Sequence, residues 1–106
     1  MTGHLVALGE LMLRFSPPPG ERLLQSPRLH TNFGGSEANV AVGYVHLGGT
    51  ARVVTALPPT LPGDAALAAL RAEGIDTRHV VRREGRLGTY YVEGGADCRP
   101  MRVVYD

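Results

Sequence analysis

The stretch Asn32-Phe33-Gly34-Gly35-Ser36-Glu37-Ala38-Asn39-Val40-Ala41 constrains the fold more than any other part of the chain. A strand pattern arrives, turns on two glycines and feeds a helix of small residues. Glycine lets backbone approach a ligand that a Cβ would keep away. The first turn of a helix offers N–H groups without intrahelical partners to whatever sits in front of it. Asn39 lies one turn in, where its amide faces the same place. A binding site in this chain is therefore expected to have its floor at Gly34-Gly35.

The segments on either side set the architecture. Residues 4–9 read as an apolar strand, with Leu5, Val6, Ala7 and Leu8 in succession, a run that suits a strand covered on both faces. Glu10 follows at its C-terminal end, where ligands gather in open α/β sheets. Leu11, Leu13 and Phe15 alternate with Met12, Arg14 and Ser16, and Pro17-Pro18-Pro19-Gly20 stops the pattern. Leu29, Thr31 and Phe33 alternate with Arg28, His30 and Asn32. These two half-exposed strands predict an antiparallel flap.

After the glycines, Ser36 is placed to cap a helix and Glu37 suits its positive end. Ala38, Ala41, Val42 and Val45 share one helical face, and Gly48-Gly49 ends it. Residues 52–57 predict a strand, 58–63 a rigid loop, and 64–73 an alanine- and leucine-rich helix closed by Gly74. A short strand is expected over 78–82. Residues 87–93 and 101–106 form a second predicted hairpin around a turn that begins at Gly94-Gly95-Ala96-Asp97, able to extend the first flap. Strand, flap, helix, strand, helix, strand is an α/β alternation. The chain stops within a strand pattern, Val103-Val104-Tyr105-Asp106, as expected of the N-terminal piece of a longer protein.

Composition narrows the chemistry. The 106 residues suit one domain or part of one, and 43% hydrophobic with 20% charged residues describe a globular chain. A net charge of +1 gives no reason to invoke nucleic acid or an anionic membrane. Every basic residue is arginine. A P-loop lysine, a Schiff base or a lysine general base is thus excluded. Cys98 stands alone, so neither a disulfide framework nor a cysteine metal cluster is expected, and the cytoplasm is the default compartment. The start lacks a signal-peptide pattern, and no apolar run approaches the roughly 20 residues that span a bilayer.

The candidate site residues follow from these placements. Gly34, Gly35, Asn39 and Glu10 combine an amide and a carboxylate, suited to ligand hydroxyls, with backbone N–H groups, suited to a carboxylate or phosphate; a tight strand-to-helix connection without a ligand is the alternative. The glycine turn is neither a Walker loop nor a dinucleotide fingerprint, since it lacks the lysine of one and the third glycine of the other. Arg14 on the flap is a candidate for meeting an acid substrate, with a solvated surface charge as the alternative. Tyr90 and Tyr105 sit on the terminal strands, either as cross-strand packing or as phenols over a pocket. Arg99 and Arg102 read as solvated. His4, His30, His46 and His79 show no metal-ligand spacing, and no Ser/His/Asp triad assembles.

Taken together, five stretches make the chain resemble the N-terminal region of the ribokinase-like (PfkB-type) carbohydrate kinases, particularly 2-keto-3-deoxygluconate kinases. They are Gly9-Glu10-Leu11-Met12-Leu13-Arg14; Gly34-Gly35-Ser36-Glu37-Ala38-Asn39-Val40-Ala41-Val42; Leu47-Gly48; Leu61-Pro62-Gly63-Asp64-Ala65-Ala66-Leu67 with Glu73-Gly74-Ile75-Asp76-Thr77; and Gly88-Thr89-Tyr90-Tyr91 with Val104-Tyr105-Asp106. The resemblance implies a Rossmann-like core, about 4–10 and 34–82, under a small β-sheet lid, about 11–33 and 87–106. It implies that Gly34, Gly35 and Asn39 bind sugar hydroxyls, that Glu10 is an acidic sugar contact, and that Tyr90 and Tyr105 touch an acid sugar from the lid. It further implies ATP and Mg²⁺ as cosubstrate and cofactor of the intact enzyme, and a homodimer formed through the lid. The family's catalytic aspartate and nucleotide pocket would lie beyond Asp106, so the 106 residues alone are expected to bind neither ATP nor Mg²⁺ and to be inactive. The acidic pair that many members carry after the second core strand is replaced here by Pro58-Pro59-Thr60-Leu61-Pro62. Fructose, ribose or a nucleoside as substrate, or a non-catalytic sugar-binding or dimerisation module, are the alternatives.

Overall fold

A computed structural model describes residues 3–94 and 101–106. Cys98, Arg99 and the Gly95-Ala96-Asp97 part of the expected turn lie outside the described residues. The strands are β1 (His4–Leu8), β2 (Met12–Ser16), β3 (His30–Gly34), β4 (Thr50–Val54), β5 (Ala56–Leu57), β6 (Val81–Arg82), β7 (Thr89–Glu93) and β8 (Arg102–Tyr105). The helices are α1 (Ser36–His46) and α2 (Leu61–Ala72).

These elements form two regions. The first is an α/β layer. Here β1 and β4 pair in parallel from His4↔Thr50 to Leu8↔Val54, and Asp76 extends the ladder beyond Arg52. Just beyond, β5 and β6 pair in parallel. Helix α1 lies on β1 and β4, while α2 lies on β5. The second region is a four-stranded sheet ordered β3-β2-β7-β8. Both predicted hairpins are there, β2–β3 and β7–β8, each antiparallel. What joins them is a parallel pairing of β2 with β7. The radius of gyration, 15.2 Å, exceeds the roughly 13 Å of a compact chain of this length. The sheet thus stands out from the layer instead of folding flat upon it.

The core is made of small residues where α1 meets the strands and of larger ones around α2. Ala38 and Ala41 of α1 meet Ala7, Ala51 and Val53 of the strands, with Leu57, Ala66, Leu70 and Ile75 beside them. Alanine at the helix–strand contact permits close approach. Val42 and Val45, expected on the same face as Ala38 and Ala41, pack partly buried against this core.

Several expectations change. Strand β1 is covered on one face only: Ala7 is buried, whereas Val6 and Leu8 are 56% and 73% exposed. Among the described residues α1 supplies the cover, and it reaches only one side of the pleat. The single strand expected over 52–57 is two, because β4 pairs with β1 and β5 with β6. The strand expected over 78–82 shortens to β6, since Val80 N–H turns back to Thr77 O at 3.0 Å.

Both helix starts also differ from expectation. Ser36 is not a cap; Gly35 occupies that position, no side chain caps α1, and the Ser36 hydroxyl donates to Glu37 Oε2 at 3.3 Å. Helix α2 begins at Leu61, earlier than expected, because Thr60 caps it by accepting from Gly63 N–H at 3.4 Å. Pro62 then falls in the first turn, where no N–H is required. The start is also pinned from outside: Arg82 donates to Pro58 O at 2.9 Å and pairs with Asp64.

Asp76 anchors the turn that follows α2. The Arg78 backbone N–H, then the guanidinium groups of Arg78 and Arg52, hold its carboxyl at about 2, below the usual 3.8, against the opposing effect of partial burial. No helix among the described residues is long and apolar enough to cross a membrane.

Candidate functional site

The site forms where the base of the four-stranded sheet meets the start of α1. Gly34 ends β3 and Gly35 caps α1, so the two glycines straddle the boundary between the regions. Gly35 has extended backbone, with φ 177°, and needs no special dihedral freedom. Its requirement is spatial: a Cβ there would collide with the carbonyl oxygen of Glu10. The chain after β1 therefore crosses directly over Gly35. This modifies the reading of the turn from sequence, in which both glycines were expected to make room for a ligand; at Gly35 the room is taken by the chain itself.

Gly34 is different. A Cβ there would sit 3.0 Å from the Tyr90 hydroxyl and 3.6 Å from Asn39 Oδ1. Two hydrogen-bonding side chains from distant elements thus converge on one glycine, Tyr90 from β7 and Asn39 from α1. Asn39 is held by its backbone N–H, which donates to Gly35 O at 2.8 Å. Tyr90 is held by its neighbours: its ring stacks on Tyr105 with centroids 5.7 Å apart and planes 26° apart. Tyr105 is 70% exposed and forms the outer side of that pair. Behind it Asp106 donates its N–H to Thr89 O at 3.0 Å and pairs with Arg86, fixing the end of β8.

Glu10 joins the group through two contacts. Its carbonyl crosses Gly35, and its carboxylate lies over Gly88, with Oε2 3.0 Å from where a Cβ would be. Gly88 in turn accepts from Leu13 N–H at 2.9 Å, at the start of the β2–β7 pairing. The structure therefore brings together all six residues singled out from the sequence: Gly34, Asn39 and Tyr90 at one point, Gly35 and Glu10 crossing beside it, and Tyr105 bracing Tyr90.

Some contributors were not on that list. Gly88 gives the Glu10 carboxylate its place. Glu37, read only as a helix-end charge, folds back over Gly9, with Oε2 2.5 Å from where a Cβ would lie. Asn32 stands opposite Arg14 in the β2–β3 ladder, and Arg14 opposite Tyr90 in the β2–β7 ladder. The alternation of residues 12–16 and 29–33 carried the signal for Asn32, since the pleat puts it on the same side as Gly34.

Two hollows border these residues. One, about 410 Å³, runs between the base of β3 and the two helices, lined by Phe33, Ala38, Asn39, Val42 and Leu70 among others. The other, about 560 Å³, lies further out on the sheet and includes Arg14, Ser16, His30, Asn32 and Val92. An amide, a phenol, a carboxylate and backbone groups around a glycine floor can both donate to and accept from hydroxyl groups, which is what a polyol requires. Among the described residues no three His, Cys, Asp or Glu side chains gather to hold a metal ion.

Comparisons with known proteins identify the family. The model of the pfkB family carbohydrate kinases matches residues 2–106. The 2-dehydro-3-deoxygalactonokinase of Haloferax volcanii is 39% identical over 106 residues, covering 100% of this chain and 33% of that protein. The crystal structure of the 2-dehydro-3-deoxygluconokinase of Thermotoga maritima superposes with a TM-score of 0.93 at 44% identity, over 97% of this chain and 32% of that one. A PfkB family carbohydrate kinase from Listeria grayi gives 0.93 at 39% identity, over 98% of this chain and 32% of its own. The chain thus spans about a third of the length of the relatives it matches. With the family model matched from end to end and the same α/β layer and sheet in the superposed structures, the chain belongs to the pfkB family of carbohydrate kinases.

Proposed function

We propose that the protein containing this chain transfers phosphate from ATP to a hydroxyl of a 2-keto-3-deoxy sugar acid, such as 2-keto-3-deoxygluconate, and that these residues bind the acceptor sugar. The observation that carries the reading is the convergence of the Tyr90 hydroxyl and the Asn39 amide on Gly34, with the Glu10 carboxylate alongside. In this reading Gly34, Asn39 and Glu10 are the floor, contacting sugar hydroxyls, and Gly35 is the crossing point that sets Glu10 beside them. The four-stranded sheet is a lid, and Tyr90 and Tyr105 close over the sugar from it. The similarity to two kinases of 2-dehydro-3-deoxy sugar acids supports the acid sugar over a neutral one.

Phosphoryl transfer is governed by positioning and by electrostatic stabilisation of the transferred group. This chain's share is positioning. Asn39 and Glu10 fix the ring or chain of the acceptor by its hydroxyls, and Tyr90 holds it from the opposite side and sheds water. Mg²⁺ neutralises phosphate charge in such reactions. The base and the nucleotide site are proposed to come from the remainder of a protein as long as its relatives. The exposed sheet edge at β8, where Val103, Val104 and Tyr105 are all exposed, fits a homodimer formed through the lid.

The test is an ATP-turnover assay on the full-length protein. Turnover is expected with 2-keto-3-deoxygluconate or 2-keto-3-deoxygalactonate at a kcat/KM well above that for fructose, ribose or a nucleoside. A preference for a neutral sugar would overturn the substrate class. Sugar-dependent turnover by residues 1–106 alone would overturn the division of labour.

A further inference from the structure

The hydroxyl-binding residues leave one end of an acid sugar unaccounted for, its carboxylate, and the four-stranded sheet presents a cation for it. In β2 the pleat sets Met12, Arg14 and Ser16 on one side and Leu13 and Phe15 on the other. The ladders identify the sides. Met12 stands opposite Gly34, and Arg14 stands between Asn32 and Tyr90. Leu13 and Phe33 pack toward the core, and Phe15 stacks on Tyr91 at 5.2 Å, on the face opposite Tyr90. Arg14 therefore shares its face with Gly34, Asn32 and Tyr90.

Its distance from the floor is suitable. Two residues of strand separate Arg14 from Met12, roughly 7 Å, which is the scale of an extended six-carbon acid. Arg14 is exposed and lines the outer hollow of about 560 Å³ together with Asn32, Ser16 and His30. The carboxylate that borders the same hollow, Glu21, is turned to Arg28 at 3.4 Å. Among the described residues Arg14 enters no ion pair, whereas Arg28, Arg52, Arg78, Arg82 and Arg86 all do. Arg102 faces the other side, opposite Glu93. The planar fork of a guanidinium matches both oxygens of a carboxylate, and an amide such as Asn32 beside it can satisfy a further lone pair.

We infer that Arg14 binds the carboxylate of the acid sugar and gives the site its preference for acids over neutral sugars. This deepens the sugar-kinase reading above and rests on it. The substrate then lies along the face of the sheet that carries Asn32 and Tyr90, with its hydroxyl end at Gly34, Asn39 and Glu10 and its acid end at Arg14.

The experiment compares binding of 2-keto-3-deoxygluconate and its uncharged primary amide to the full-length protein by calorimetry, for wild type, Arg14→Lys and Arg14→Gln. Wild type is expected to favour the acid. Arg14→Gln is expected to reduce the acid-to-amide affinity ratio about 10- to 100-fold, the loss of one charge-assisted, two-point contact. Arg14→Lys, which keeps the charge and loses the fork, should fall between. Arg14 is exposed, so unchanged circular dichroism and melting temperature are expected in both variants. A ratio preserved in Arg14→Gln overturns the role of Arg14 and leaves the kinase reading intact. A wild type without preference for the acid overturns the proposed substrate class, and the role of Arg14 with it.

Discussion

The α/β layer and the four-stranded sheet are held together by different means. The layer buries its side chains: Ala41, Ala66, Val53 and Leu57 are almost wholly removed from water. The sheet is held by its ladders, by two stacked aromatic pairs and by Glu93, which accepts from Leu23 N–H to fasten the connector between β2 and β3. Its last strand is exposed at every position. Burial is the larger source of stability. The layer therefore carries the larger share of the folding free energy, with Leu13 and Phe33 at the base of the sheet adding to its core, while the rest of the sheet keeps polar and aromatic groups available to a ligand. Substitutions in the layer should cost stability, and substitutions on the Arg14 and Tyr90 face of the sheet should cost recognition.

The largest effect that would break this contrast is at Leu70, 3% exposed in the last turn of α2. Leu70→Ala should destabilise by about 3 kcal/mol through lost burial and the cavity left behind. Urea unfolding measures it, and a loss below ~1 kcal/mol would erase the difference between the regions. Tyr105→Ala sharpens the contrast from the other side. It should cost about 1 kcal/mol of stability or less, since the ring is mostly in water and loses one stacking partner. Its sugar affinity should fall about tenfold, because Tyr90 loses its brace and the sugar a contact. A large drop in melting temperature without a change in affinity would reverse the assignment of roles.

The smallest effect concerns Asp76. Its carboxyl titrates at about 2 in the folded chain against 3.8 unfolded. The contribution is therefore fully present above pH 3.8 and is lost as pH falls toward 2. Asp76→Asn should flatten the fall of melting temperature across that window and leave the Arg14 and Tyr90 face of the sheet untouched. An acid limb as steep as that of the wild type would show that the Arg52–Asp76–Arg78 cluster adds nothing to the layer.

The local pieces were legible because each is written in a short period. Alternation in residues 11–16 and 29–33 marks two half-buried strands, and spacing of three and four in residues 38–45 marks one helical face. The alanine helix was visible, but its start was not. Residues 58–63 look like an unbroken proline loop unless Thr60 is seen as a cap and Pro62 as a first-turn residue. Within the site, Asn39 was legible because it lies a fixed turn from the glycines. Arg14 was legible as a candidate for meeting an acid substrate but could not be placed beside Tyr90, since residues 76 apart meet only through the β2–β7 ladder. Gly88 stood in the stretch Gly88-Thr89-Tyr90-Tyr91, but no local pattern ties it to the Glu10 carboxylate that lies on it.

The sequence by itself determined the order of strands and helices, the two hairpins and the glycine turn, all of which follow from preferences over a few residues. The tertiary structure decided how they meet. It set β2 beside β7, split the second core strand between two partners and left one face of β1 in the open. It also decided what each glycine is for: at Gly35 the Glu10 carbonyl occupies the space of a Cβ, and at Gly34 the Tyr90 hydroxyl and the Asn39 amide converge on it. Periodicity records which face of a segment is buried. Which distant segment lies against that face depends on contacts that no local pattern contains.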